Sequence, residues 1–176
     1  MRLYAARHGQ TQWNVENKIC GRTDLPLTDV GLEQARALAE NAKDLGLDLI
    51  IASPLIRARQ TAAAVAEACG IEVLLDDRLV EQDYGIYEGE DRFHPGFLAN
   101  KRCFAWRYPG GESMMQLAAR VYAVIEDVKR LHSDKKVLLV CHNGICRVIH
   151  SYFCDVSNEE FASFSMDNAA IREYTL

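Results

Sequence analysis

Arg7-His8-Gly9 closes the short apolar run Leu3-Tyr4-Ala5-Ala6. A histidine delivered by a strand, with a cation before it and a glycine after it, can act as a covalent nucleophile, splitting one difficult transfer into two easier ones. Alone the tripeptide says little, but three further pieces stand along the chain: Ser53-Pro54-Leu55-Ile56-Arg57, Glu81 within Glu81-Gln82-Asp83-Tyr84-Gly85, and Cys141-His142-Asn143-Gly144. Their residue types suit a phosphoryl anion. Arg7 and Arg57 offer planar forks that grip phosphate oxygens bidentately. Helix N-termini after Ser53 and Asn143 offer free amides and a favourable dipole. His142 adds a second imidazole. Glu81 supplies a carboxyl group able to protonate the departing oxygen and then to activate water. Because arginines and histidines carry the charge stabilisation, this chemistry requires no metal and no cofactor.

Something must bring these segments together. Leu3–His8, Asp48–Ala52 and Lys136–Cys141 carry uninterrupted apolar runs, the pattern of strands covered on both faces. Ile71–Leu75 and Ala170–Thr175 are shorter and more amphipathic, and are expected nearer an edge. Between them lie helices with start and stop signals. Thr28 caps a helix expected to end at Gly46, and Ser53-Pro54 places a capping hydroxyl before proline at the first helical position of an alanine-rich stretch ending at Gly70. Ser113-x-x-Gln116 and Ser157-x-x-Glu160 fit the capping box, and Asn143 to about Phe153 is expected to be another helix. Strands alternating with helices predict an α/β fold, a three-layer sandwich around a largely parallel sheet. In such a sheet, ligands bind beyond the carboxyl ends of the strands. Arg7-His8-Gly9, Ser53 to Arg57 and His142-Asn143-Gly144 are all expected there. Residues 1–176 read as one domain, with 86–112, mixing Gly, Pro, aromatic and basic residues, as a lid-like excursion over the site.

The bulk composition agrees with a soluble globular protein: 176 residues, 49% hydrophobic and 26% charged, with a net charge of −5. No Lys/Arg block suggests nucleic acid or an anionic membrane surface, and no apolar stretch approaches the roughly 18 residues a membrane span needs. An anionic substrate must therefore be drawn by a local basic pocket. The sequence opens without a secretory signal, and its six cysteines read as reduced, mostly buried thiols, so a cytoplasmic location is expected. A homodimer is compatible with the sequence.

Arg7-His8-Gly9-x-Thr11-x-Trp13-Asn14, Leu27-Thr28-x-x-Gly31-x-x-Gln34-Ala35, Arg57, Glu81 and His142 together resemble the histidine phosphatase superfamily, which contains cofactor-dependent phosphoglycerate mutases and small acid phosphatases. The resemblance runs from residue 3 to about 150 and implies the phosphoglycerate mutase-like fold. It implies His8 as the phosphorylated residue, Arg7, Arg57 and His142 as phosphate clamps, and Glu81 as proton donor. It places Asn14, Cys20 and Gly21 along the phosphate, and Asn143, standing where glycine is frequent, adds an amide contact. Cys20 occupies a position where a hydroxyl residue is common. Pro109-Gly110-Gly111-Glu112-Ser113 resembles a segment that precedes the long helix in the phosphatase branch. The mutases carry a longer insertion near 86–112, so the resemblance implies hydrolysis of a small phosphorylated metabolite. Sugar phosphates, phosphoglycerates, nucleotides and the nucleotide-loop precursor of cobamides are all compatible substrates. Mutase-type phosphoryl transfer and a silent phospho-ligand-binding module are the alternatives.

Two further readings compete. Cys141-x5-Arg147 after a strand has the spacing of cysteine-dependent phosphatases, but Val148 stands where a hydroxyl residue assists the thiol, and no Asp-Pro acid is present. Cys146 and His150 share a helical face, but four convergent ligands are wanting for a closed zinc site.

Overall fold

The computed structural model describes residues 2–175. Strand β1 spans Arg2–Arg7 and is followed by a single helical turn, α1 (Gln12–Val15), and the longer α2 (Asp29–Ala42). Next come β2 (Leu49–Ala52), α3 (Ile56–Cys69), β3 (Val73–Leu75) and the short α4 (Pro95–Asn100). The chain continues through α5 (Met114–Leu131), β4 (Lys136–Cys141), α6 (Asn143–Phe153) and α7 (Asn158–Ser163) to β5 (Ile171–Thr175).

The sheet order is β3-β2-β4-β1-β5, parallel except for β5, which pairs antiparallel with β1. Side chains of the central strands alternate between two cores, as the strand period requires. Leu3, Ala5, Ile51, Val137 and Leu139 pack under α5 and α6. Tyr4, Ala6, Ile50, Leu138 and Val140 pack under α2 and α3. Burying both faces explains why the runs are apolar throughout. Each fully buried Leu, Ile or Val contributes roughly 1.5–3 kcal/mol.

The capping boxes at Ser113/Gln116 and Ser157/Glu160 form, and the Thr28 hydroxyl accepts from the Gly31 amide. Gly70 ends α3 at φ +68°, and Gly46, at φ +63°, ends the 3-10 turn Lys43–Leu45 that prolongs α2; a β-carbon would be strained at either. The start of α3 departs from the expectation. Ser53 does not cap it; Leu55 occupies the N-cap position, and the first helical amide, that of Ile56, donates instead to Asp24 Oδ1 at 2.7 Å. The Ser53 hydroxyl is engaged with His142.

The register positions the chemistry. Arg7 pairs with Cys141 and Ala52 with Val140, so β1 and β4 end level and β2 one residue short of them, and their next residues are His8, Ser53 and His142. Antiparallel β5 begins at that same rim, which brings residues 166–169 there as well. Residues 86–112 form α4 and a small aromatic cluster in which Phe97 and Tyr108 pack with Tyr84, Tyr87 and Ile19.

Candidate active site

His8 is 5% exposed, and its Nδ1 lies 2.6 Å from the Gly9 carbonyl oxygen. A carbonyl can only accept, so Nδ1 carries the proton and Nε2 keeps its lone pair. Burial, with Arg57 and Arg7 nearby, holds the His8 pKa well below its ordinary value. The ring is therefore neutral, with Nε2 unprotonated. The loop beneath it is fixed from two sides. The Gly9 amide donates to Thr61 Oγ1, and Asn168 Nδ2 donates to the His8 carbonyl and to Asn14 Oδ1.

Arg7 is 8% exposed; its Nη1 donates to the Met166 carbonyl at 2.6 Å, and its Nε has no partner among the described residues. Arg57 is fully buried. It donates from Nε to His142 Nδ1 (3.2 Å), from Nη1 to the Thr23 carbonyl (2.8 Å) and from Nη2 to the Gly21 carbonyl (2.6 Å). Two of a guanidinium's five N–H groups are left after these bonds. Because Arg57 Nε can only donate, His142 Nδ1 must accept, so its Nε2 bears the proton and donates to Ser53 Oγ at 2.7 Å. The His8 and His142 ring centroids lie 5.1 Å apart.

Glu81 is 3% exposed. Its Oε1 accepts from the Gln82 amide at 2.8 Å and its Oε2 from the Gly144 amide at 2.9 Å. These bonds favour the carboxylate, but burial outweighs them and raises its pKa. Arg120 supports the Glu81 loop, donating through Nη2 to the Glu81 carbonyl at 3.2 Å and to Glu112 Oε1 at 2.6 Å. Glu112 also accepts from the Asp83 amide, which gives the Pro109–Ser113 segment its structural task.

Arg7, His8, Asn14, Cys20, Glu81 and Asn143 line one cavity of about 300 Å³. Gly21, Arg57 and His142 are not among its lining residues, but His142 abuts the lining residue His8, with ring centroids 5.1 Å apart, and Arg57 is bonded to His142. The Gly21 amide donates to Glu88, whose carboxylate also gathers Arg22 and Thr23 amides and so shapes the loop that holds Arg57. Cys20 is a neutral thiol pushed up to about 11 by burial and directed at the Thr23 carbonyl. Asn143 Oδ1 accepts from the Met166 amide, leaving its NH2 group without a bonded partner among the described residues. Sequence reasoning missed Glu88, Thr61, Met166 and Asn168, which hold the reactive groups in place. None carries a local motif.

The thiolate reading fails on burial. Cys141 is 0% exposed, burial pushes its thiol well above its ordinary value, and its Sγ lies 3.5 Å from Cys146 Sγ. Among the described residues no group of three or more His, Cys, Asp or Glu side chains is arranged to hold a metal ion.

A neutral imidazole pair under this burial should make the fold acid-labile. Unfolded histidines protonate near pH ~6.5, whereas His8 and His142, both shifted well down, resist. Their stabilisation is complete above that pH and is lost as pH falls toward their folded values, at about 1.4 kcal/mol per unit for each titrating group. Glu81, shifted upward, opposes this with one group against two. Thermal melts at pH 7.5, 6.5 and 5.5 are expected to show Tm falling, and falling less steeply in His142→Asn. Parallel slopes for the two proteins would contradict neutral burial.

The five-stranded sheet and its connections gather two histidines, two arginines and a carboxyl of raised pKa at one rim. The chain belongs to the histidine phosphatase superfamily (branch 1), whose family model matches residues 3–176. It is 42% identical over 153 residues to a protein of Enterobacter sp. (strain 638) described as probable phosphoglycerate mutase GpmB, covering 81% of this chain and 69% of that one. It is 40% identical over 150 residues to the protein of the same description from Escherichia coli (strain K12 / DH10B), with the same coverage of both chains. Among solved structures it is similar to a mycobacterial glucosyl-3-phosphoglycerate phosphatase complexed with VO3, with TM-score 0.86, 32% identity, and 98% of this chain and 91% of that one covered. It is also similar to mycobacterial hydrolase 1, with TM-score 0.90, 29% identity, and coverage of 98% and 87%.

No helix among the described residues is long and apolar enough to cross a membrane.

Proposed function

We propose that this protein hydrolyses small phosphate monoesters without a metal, through a phosphohistidine on His8. The observation that carries the reading is the fixed tautomer of His8: the Nδ1 bond to Gly9 leaves Nε2 as the reactive atom. His8 Nε2 attacks phosphorus in line with the departing oxygen, forming the N–P bond as the P–O bond breaks. Arg7 and the remaining N–H groups of Arg57 bind the equatorial oxygens, and this fixed positive charge stabilises the transition state. The Asn14 and Asn143 side chains border the same oxygens. His142 fixes the Arg57 guanidinium through Nδ1, and its Nε2 proton turns to phosphate when Ser53 yields it.

Glu81, whose pKa burial raises, serves in its protonated form as the acid that gives a proton to the leaving alcohol. As a carboxylate it then takes a proton from water attacking the phosphohistidine, which frees phosphate and restores His8. Residues 86–112 serve as a roof: Phe93, Phe97, Lys101 and Tyr108 lie on the cavity wall. The phosphatase among the similar structures supports hydrolysis. The relatives described as phosphoglycerate mutases favour a second reading, in which a second acceptor intercepts the phosphohistidine before water does.

The test is phosphate release from p-nitrophenyl phosphate, glycerol 3-phosphate, 3-phosphoglycerate and AMP with EDTA present, in wild type and Cys141→Ser. Release that survives both EDTA and the substitution is expected. A large loss in Cys141→Ser would return the thiolate to contention, loss with EDTA would implicate a metal, and interconversion of phosphoglycerates without release would establish the mutase. Release from no ester would leave a binding module.

A further inference from the structure

The turn that leads into β5 is bonded to four residues of the site at once. The Met166 carbonyl accepts from Arg7 Nη1 at 2.6 Å, and the Met166 amide donates to Asn143 Oδ1 at 2.9 Å. The His8 carbonyl has two lone pairs; it accepts from the Ala169 amide at 3.2 Å and from Asn168 Nδ2 at 3.1 Å. Asn168 Nδ2 also reaches Asn14 Oδ1 at 3.2 Å. The Ala170 amide closes the turn on the Asp167 carbonyl, and Ala169 stands at φ +58°. A non-glycine residue keeps that left-handed conformation only where its surroundings hold it there.

These bonds fix which way two side-chain amides face. The Thr11 backbone N–H lies 2.9 Å from the Asn14 side chain and can only donate, so the atom it meets is the Asn14 oxygen. Thr11 Oγ1 and Asn168 Nδ2 meet the same oxygen, at 3.1 and 3.2 Å. Asn168 in turn faces two acceptors, that oxygen and the His8 carbonyl, so it presents its NH2 group to them and both hydrogens are spent. What is left over is the NH2 group of Asn14. It has no bonded partner among the described residues, and Asn14 lines the cavity beside Arg7 and His8. Thr11 alone holds the Asn14 oxygen to its own helical turn. Asn168 ties it to the backbone of His8.

We infer that Asn168 is a positioning residue of the phosphoryl pocket. Its amide sets the spacing between His8 and Asn14, so that the Asn14 NH2 group donates to a phosphoryl oxygen while His8 Nε2 faces phosphorus. Asn168 is not on the cavity wall; it acts through Asn14 and the His8 carbonyl. A donor aimed in advance at the anion costs no reorganisation when the anion arrives, and a small displacement of it forfeits that advantage. The inference rests on the reading of this cavity as a phosphoryl pocket, but its test needs no turnover.

The test is isothermal titration of inorganic phosphate into the full chain as wild type, Asn168→Ala, Asn14→Ala and the double variant. Asn168→Ala is expected to weaken phosphate binding about tenfold, and Asn14→Ala at least as much. The double variant should bind no more weakly than Asn14→Ala alone, because Asn168 then has no amide left to position. Asn168→Leu, close to asparagine in shape but without donors, carries the same cycle if Asn168→Ala fails to fold, which melting curves report. In an amide correlation NMR spectrum, the Asn14 NH2 signals should move when phosphate is added to wild type and stay in place in the Asn168 variants. A loss of stability alone would not produce that signature. Losses that multiply in the double variant, or Asn168 variants that bind phosphate as wild type does, would overturn the assignment, and so would a wild type that binds no phosphate. A wild type that binds phosphate but releases none from any ester would fell the catalytic reading alone, and the cycle would still decide this one.

Discussion

His8→Ala is expected to lower phosphate release by a factor on the order of 10⁴ or more, since removing a covalent nucleophile forfeits the two-step route. The fold should survive. The substitution removes one ring and its bond to Gly9, while the Gly9 amide keeps Thr61 and the His8 backbone carbonyl keeps Asn168. A circular dichroism spectrum and melt matching wild type would exclude unfolding as the cause. The second readout is covalent: wild type mixed with substrate and quenched in alkali should carry a base-stable, acid-labile phosphate that His8→Ala lacks. Label persisting in His8→Ala would transfer the nucleophile elsewhere, with His142 at 5.1 Å the first place to look. His142 is a poor substitute, because its Nδ1 lone pair is held by Arg57 and its Nε2 bears the proton bonded to Ser53.

The meeting of the polar segments was legible because their residues stand at strand ends, and strands buried on both faces advertise themselves as unbroken apolar runs. Once Lys136–Cys141 and Leu3–His8 are read as neighbouring parallel strands, His8 and His142 must meet at one rim, and they do. Capping boxes were equally plain, since their partners lie three residues apart. The start of α3 was misread for the complementary reason. Its first amide is capped by Asp24, 32 residues away in sequence, while the local hydroxyl that looked like the cap, Ser53, is held by His142, 89 residues away. A tertiary cap leaves no periodic signal.

The same holds for the supports of the site. Asn168 and Met166 act from the turn before an antiparallel edge strand, through a side-chain amide and a backbone carbonyl. Backbone groups carry no residue signature at all. Glu88 orders three successive amides of the loop that holds Arg57, yet in the sequence it is one carboxylate among many. Residues 86–112 hid a six-residue helix because its packing partners, Tyr84 and Tyr108, stand on either side of it in the chain and not on a repeating face. The polar core of the site was therefore readable from types and spacing, and its scaffold only from contacts.

Glu81→Gln should separate substrates by their leaving group. Gln cannot protonate a departing alkoxide, so kcat for glycerol 3-phosphate is expected to fall on the order of 10²- to 10⁴-fold. p-Nitrophenolate leaves without a proton, so formation of the phosphohistidine from p-nitrophenyl phosphate should slow by less than about tenfold. Its hydrolysis, however, needs the carboxylate as base. Turnover should then stall after one equivalent, giving a burst of p-nitrophenol and an accumulating phosphoenzyme. Gln retains one carbonyl oxygen, so one of the amides of Gln82 and Gly144 loses its acceptor, at a cost of about 1–3 kcal/mol in stability. That cost is common to both substrates and cannot produce a burst. The alkaline limb of the wild-type pH–rate profile for alkyl esters should also vanish, because it reports the raised pKa of the buried carboxyl. Equal losses on both esters without a burst would take proton transfer away from Glu81 and leave it only the amides it binds.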